Sequence, residues 1–317
     1  MMRLRTALQN ALPPVLFEQA VRLYAWDAAR KAGLGVRWSD DHIDVINGFK
    51  IVRTHRRHNI YTRSIIDDFD YFYSAVNSVI DGKRHLVDYS FPKYHDVVGF
   101  DLHPVMFPSV AEPLATTQQY MEFANLHDGM VVIDLGAYSG LTSIVFQEAV
   151  GANGRVVAVD ADEQNIDCIE KNFALYAKMR SVRIDLLKGA VWDHNEGLDF
   201  SSEGNMGASA ASIVGTVNRG AVHLVPSFTL SSIADLYALE RVDFIKCDVE
   251  GAEAVVFNDR KFFDRFKPRM ILETHLVHGE PTVAKCVSDL TSMGYRCREI
   301  PQAGGATTPL LECYPPQ

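Results

Sequence analysis

No run in these 317 residues approaches the roughly 18 consecutive apolar positions of a membrane-spanning helix, so the sequence predicts no transmembrane segment. Positive charge is also short. Lys and Arg number 31 against 40 Asp and Glu, and a net charge of -9 argues against general nucleic-acid binding, which depends on neutralising phosphates. The five cysteines, Cys168, Cys247, Cys286, Cys297 and Cys313, are odd in number, scattered and without metal-ligand spacing. That pattern excludes a disulfide framework and suits reduced core thiols of an intracellular protein. A secretory leader is missing too: Arg3 and Arg5 precede "TALQNALPPVLF", but Pro13 and Pro14 interrupt it and no cleavage site follows. The start therefore reads as mature sequence and the expected location is cytoplasmic.

What is present is ample material for a core, 47% hydrophobic against 22% charged residues, and a change of pattern near residue 115. Residues 1–115 read as an α+β region, an acceptor-binding or docking element. It has an amphipathic helix from Leu16 to about Lys31, a hairpin around "IDVINGFKIV", a helical "IIDDFDYFYSAVNSVI" and an irregular stretch rich in Pro and aromatics. Residues 116–317 are regular. Thr117 is placed to cap a helix through Leu126, and strands "MVVIDLG", "RVVAVD", "VRIDLL", "VDFIKCD" and "RMILET" then alternate with helices. "YRCREI" and "PLLECY" follow without a helix between them, so they form an antiparallel pair. The alternation predicts a Rossmann-like α/β fold of the class I methyltransferase type: a seven-stranded, mostly parallel sheet with an antiparallel last strand.

The strongest local signal is "VVIDLGAYSG". A strand ending at Asp134 turns through Gly136, where the missing Cβ lets backbone approach a ligand, and Gly140 opens the next helix. The G-x-x-x-G spacing leaves the G-x-G-x-x-G phosphate cradle of a nicotinamide-dependent oxidoreductase incomplete. An acid before that loop suits the ammonium of a methionine moiety. Asp160 ends the next strand, where a carboxylate is placed to accept both ribose hydroxyls of a nucleoside. Either acid can instead be a turn or cap residue. In "VDFIKCDVEGAEAVVF" the alternatives are similar: Asp248 or Glu250 caps a helix, or they face a ligand at the carboxyl end of the strand.

"VVIDLGAYSGLTSIVF", "GRVVAVDADEQNIDCIEKN", "TLSSIADL", "VDFIKCDVEGAEAVVF" and "RMILETH", in this order, resemble the FkbM family of S-adenosylmethionine-dependent methyltransferases over roughly residues 117–300. The family motif I-K-x-D-x-E-G-x-E is matched by Lys246, Asp248, Glu250, Gly251 and Glu253. Tyr138 departs from a usual Asn, Ala161 from a usual Pro, and Ser231 and Ser232 from an acidic pair. The resemblance implies S-adenosylmethionine as methyl donor, held by Asp134, Gly136, Ala137, Tyr138, Ser139, Gly140, Asp160, Ala161, Ala190 and Asp248. It also implies a small-molecule hydroxyl acceptor, a sugar or glycan-linked metabolite, and catalytic roles for Asp248, Glu250, His275 and Lys246.

A hydroxyl must lose its proton as it is methylated. Strand order of this type brings Asp248 beside Glu273, Thr274 and His275, so His275 or Asp248 is the expected base. A divalent cation on Asp248 and Glu273 is the alternative. The metal-free version is favoured because Lys246, expected to pair with Asp248 or Glu273, neutralises one carboxylate. Glu253 is expected to support the helix or loop. Gly204–Ser212 either covers the site or is a surface hairpin. "RTHRRHNIYTR" either engages an anionic acceptor or is a solvated face, and "DYSFPKYHDVVGF" either stacks on a ring or packs internally. Residues 1–37 carry six Lys or Arg against two acids, so the first helix either rests on anionic membrane or is a packing or dimer helix. A noncatalytic nucleoside-binding protein is the remaining alternative, and the oligomeric state is left open.

Overall fold

The computed structural model describes residues 14–111, 113–202, 209–210, 221–303 and 308–316. The chain divides into two compact units, Met1–Leu114 and Ala115–Gln317.

The second unit is built on seven strands: β1 (Val131–Leu135), β2 (Arg155–Asp160), β3 (Asp185–Lys188), β4 (Phe244–Cys247), β5 (Arg269–Glu273), β6 (Arg296–Ile300) and β7 (Leu310–Tyr314). Their spatial order is β3-β2-β1-β4-β5-β7-β6. The first four pairings are parallel, and β7 runs antiparallel to both β5 and β6. This is the class I methyltransferase fold. The central strands are nearly continuous Val, Ile and Leu because helices cover both faces. Ile133, Leu135, Val157, Ile245, Cys247 and Leu272 meet in one buried cluster with Leu230, Ile233, Phe262 and Leu290 from the helices. Asp162 caps the helix Glu163–Arg180 by accepting from the N–H groups of Gln164 and Asn165. Such caps fix where each helix leaves the sheet, and so where the strand ends open.

Two local expectations in this unit are corrected. Thr117 lies inside the helix Leu114–Ala124 and meets Thr142 hydroxyl to hydroxyl at 3.1 Å, so it caps nothing. After β4 the helix is only Glu253–Val256, with Ala252 at its N-cap and no side-chain cap bond. Neither Asp248 nor Glu250 is a cap. Residues 248–252 form instead a turn with Glu250 at φ 51° and Gly251 at φ 104°. Between Val191 and Ser227, read as loose, the strands Leu198–Ser202, Ser209–Ala210 and Ala221–Val225 form a small antiparallel sheet. The expected cover Gly204–Ser212 lies outside the described residues except for Ser209 and Ala210.

The first unit holds the expected helix, Pro14–Lys31, and the expected hairpin, His42–Asn47 with Lys50–His55. The hairpin belongs to a five-stranded sheet with Gly35–Trp38, Val79–Asp81 and Arg84–Tyr89. The single helix expected over residues 65–80 is corrected: Asp68 (φ -137°, ψ 65°) breaks it into Thr62–Asp67 and Phe69–Tyr73, and Val79–Asp81 is a strand. The arginines of "RTHRRHNIYTR" are largely engaged internally. Arg53 binds the fully buried Asp44 at 2.7 Å, Arg56 pairs with Glu18, and Arg63 binds Asp67 at 2.6 Å. Among the described residues, no helix is long and apolar enough to cross a membrane.

Candidate active site

The carboxyl ends of β1, β2, β4 and β5 supply the chemistry. At the end of β1, Gly136 has φ 76°, and a Cβ there would lie 1.7 Å from the carbonyl oxygen of Asp248. The close approach that demands glycine is therefore made by the turn after β4, where the sequence suggested a ligand. At Gly140 (φ 78°) a Cβ would come within 2.7 Å of the Phe173 ring. Tyr138, also left-handed at φ 52°, donates its backbone N–H to Asp160 Oδ2 at 2.8 Å. Asp160 Oδ1 accepts from the N–H of Asp162 at 2.9 Å and from Asn165 Nδ2 at 3.3 Å. Burial pushes the Asp160 carboxyl up to about 7 against these donors. Ser139 is buried, its carbonyl accepting from Asn172 at 2.8 Å, and Ala137 is buried beside it. Ala161 is half-buried after Asp160. Buried Ala190 donates its N–H to Pro226 O at 2.9 Å, one strand further out.

Asp134 is fully buried and accepts from Ser143 Oγ at 2.5 Å. The ammonium that faces it belongs to Lys246, whose Nζ is 3.4 Å from Asp134 Oδ1, 3.7 Å from Asp248 Oδ2 and 2.7 Å from the Gly136 carbonyl it donates to. Sequence reasoning missed the Asp134 partner. The signal is the parallel register, which sets Lys246 directly opposite Asp134. Burial raises the pKa of Asp134, opposed by Lys246 and Ser143.

Adjacent β4 and β5 bring the remaining groups to one rim. His275 Nε2 lies 3.5 Å from Asp248 Oδ1, 3.8 Å from Glu250 Oε1 and 3.9 Å from Glu273 Oε1, all four side chains being 15–29% exposed. Burial opposes charge on the imidazole, but Glu250, Glu253 and Asp248 overcome it and raise the pKa of His275 well above the ordinary range. Burial pushes Glu250 up to about 7, and burial with the charge of Asp248 does the same to Glu273. Tyr120 donates to Glu273 Oε2 at 3.3 Å. Sequence reading passed over Tyr120, and no motif marks it. Asp248, Glu273 and His275 each offer an atom, all within 4.8 Å of one another, which is also the spacing of a cation site.

The strand order defines the class I methyltransferase fold. The chain matches the Methyltransferase FkbM domain over residues 134–297, just over half its length, and belongs to that family of S-adenosylmethionine-dependent enzymes. The oxidoreductase and noncatalytic alternatives fall with that membership. Among solved structures it is similar to a methyltransferase FkbM from Methylobacillus flagellatus KT, at 16% identity and TM-score 0.43, covering 62% of this chain and 50% of that one. It is similar also to fibrillarin from Aeropyrum pernix in complex with natively bound S-adenosyl-L-methionine, at 15% identity and TM-score 0.39, covering 63% and 73%. Precorrin-6y C5,15-methyltransferase from Geobacter metallireducens GS-15 aligns at 16% identity and TM-score 0.39, covering 63% and 87%. A comparison with curated proteins gave no match.

Proposed function

We infer that this enzyme methylates a hydroxyl of a small molecule, with a sugar or glycan-linked metabolite as the acceptor class. The observation that carries the reading is the crowding of Asp248, Glu250 and Glu273 within 3.9 Å of one imidazole nitrogen at the strand ends. Such a rim handles protons, and a hydroxyl nucleophile is one that must give a proton up. The sugar rests on family resemblance.

The residues present fit the donor at its nucleoside end. Asp160 holds each carboxylate oxygen on protein N–H donors, and a carboxylate oxygen has lone pairs for further hydroxyls. Half-buried Tyr138 and Ala161 flank it. Asp134 fits the methionine ammonium poorly, because Lys246 already faces it. When bound, S-adenosylmethionine supplies a methyl group on a cationic sulfonium. The chain's own work is to orient the acceptor, exclude water and take the proton. The carboxylates of Glu250, Glu253 and Asp248 raise the pKa of His275, which favours its protonated form and makes it a weaker candidate for the base. Of the two bases expected from the sequence, His275 or Asp248, this reading takes Asp248, with Glu250 and Glu273 raised to about 7 beside it. Lys246 holds Asp248 in place.

A second reading is favoured by the grouping of Asp248, Glu273 and His275. In it these side chains hold a divalent cation that acidifies the hydroxyl. One experiment tests both. Methyl-labelled S-adenosylmethionine is offered with a panel of hydroxyl, amine and carboxyl acceptors after exhaustive EDTA treatment, with and without Mg²⁺ or Mn²⁺. Transfer to hydroxyls that survives EDTA is expected. Loss restored by metal replaces the first version with the second, and transfer confined to amines overturns O-methylation. Asp248→Asn is expected to keep S-adenosylhomocysteine binding while turnover falls about a hundredfold; full activity would remove this carboxylate from the reaction.

A further inference from the structure

One carboxylate beside the rim accepts from four separate donor atoms. Glu253 is fully buried, yet burial is overcome by its donors and its pKa lies below the usual carboxylate range. Its Oε1 accepts from the backbone N–H of His275 at 3.0 Å, from the Thr282 hydroxyl at 2.6 Å and from His275 Nδ1 at 3.2 Å. Its Oε2 accepts from the N–H of Gly251 at 2.8 Å, in the turn where Glu250 and Gly251 take positive φ. One side chain thereby ties the loop after β4 to the loop after β5, and so sets the two loops that carry Asp248, Glu250 and His275. Because an ionised carboxylate only accepts, His275 Nδ1 must carry the proton, and Nε2 is the nitrogen left to face the rim.

We propose that Glu253 is a positioning residue for methyl transfer: it fixes the ring orientation and the Nδ1–H of His275, and with it the turn that presents Glu250, without itself touching donor or acceptor. The proposal rests on the rim reading above, and it holds whether His275 acts as a cation toward the acceptor or as a ligand to a metal. In either case a carboxylate on the far ring nitrogen decides what the near nitrogen can do.

The test begins with the parent protein carrying ¹⁵N-labelled histidine, one of whose 11 histidines is identified as His275 by subtraction with His275→Gln. A protonated Nδ1 whose resonance changes in Glu253→Gln is expected. An unprotonated Nδ1 in the parent overturns the proposal even if Glu253→Gln does not fold, and identical resonances in parent and variant overturn it too. With a hydroxyl acceptor from the panel, Glu253→Gln is expected to lower kcat about ten- to a hundredfold, the usual scale for losing such a carboxylate. KM and S-adenosylhomocysteine affinity should stay within about twofold. Thr282→Val removes the hydroxyl's bonds to the same Oε1 and to the backbone N–H and carbonyl of His275 but none to the ring, so it loosens the loop while leaving the Nδ1 contact, and it is expected to keep kcat. An equal fall in both variants would make the effect one of loop stability and overturn the positioning role. Failure of the parent to bind S-adenosylhomocysteine would count against the donor reading, while the His275 resonances would still decide the positioning role by themselves.

Discussion

At the scale of single residues, Asp160 is the group whose chemistry is most exposed to test. Its folded pKa is raised from 3.8 to about 7 because burial disfavours the charge. The sign follows: a raised acid pKa means the folded state holds the proton more tightly. This group's contribution to stability is therefore greatest below its unfolded pKa and is lost as pH rises toward about 7. With the proposed ribose contact, donor binding is expected to have the opposite slope, since hydroxyls donate best to the ionised form. Calorimetry with S-adenosylhomocysteine from about pH 6 to about pH 8 is expected to show affinity rising with pH in the parent and a flatter profile in Asp160→Asn. Asp160→Ala should weaken binding by about 1–3 kcal/mol. Unchanged affinity in a folded Asp160→Ala would take the ribose contact away from this residue.

At the scale of elements, the decisive contact is the turn after β1 against the turn after β4. A Cβ on Gly136 would overlap the Asp248 carbonyl at 1.7 Å, and backbone has no rotamer by which to move aside. The two turns are also tied by Asp248 N–H to Leu135 O at 3.0 Å and by Lys246 to Gly136 O. Gly136→Ala is expected to cost about 3 kcal/mol or more, combining overpacking with a strained positive φ. Denaturant melts would measure it, and S-adenosylhomocysteine affinity should fall with stability because Tyr138 and Asp248 shift together. A melt within about 0.5 kcal/mol of the parent, the range of neutral surface changes, would mean the turns yield freely. The strands themselves were legible: short Val- and Ile-rich runs ending in Asp or Gly between helical patterns have few other solutions. The helix after β4 was not, because "DVEGAEAVVF" has helical composition while Glu253, held by His275 and Thr282, accepts the Gly251 N–H in a local bond that belongs to a turn.

At the scale of the molecule, the unit Ala115–Gln317 holds the family match from residue 134 onward, the sheet and every rim residue. The role of the first unit as an acceptor-binding element is a proposal. A chain beginning just before the helix Leu114–Ala124 is expected to bind S-adenosylhomocysteine like the parent and to lose methylation of the hydroxyl acceptor. Full methylation by that fragment would remove the first unit from acceptor recognition. Little of this unit's sheet was readable beyond one hairpin. Its strand Val79–Asp81 is three exposed residues with no alternation, and Lys50–His55 pairs in parallel with Arg84–Tyr89, about thirty residues away.

Sequence alone determined what local periodicity and residue type can carry: seven strands, the first six alternating with helices, an acid at the end of β1 and of β2, and an ionisable run after β4 and β5. Tertiary structure decided which of those groups meet. Lys246 reaches Asp134 only because parallel register sets β4 against β1. Glu253 serves His275 and Thr282 across 22 and 29 residues of chain, and Tyr120 reaches Glu273 across 153. Burial, which no residue has by itself, then lifts Asp160, Glu250 and Glu273 to about 7. A chain writes its strands locally, but a carboxylate's partner and its charge depend on neighbours that only the assembled sheet supplies.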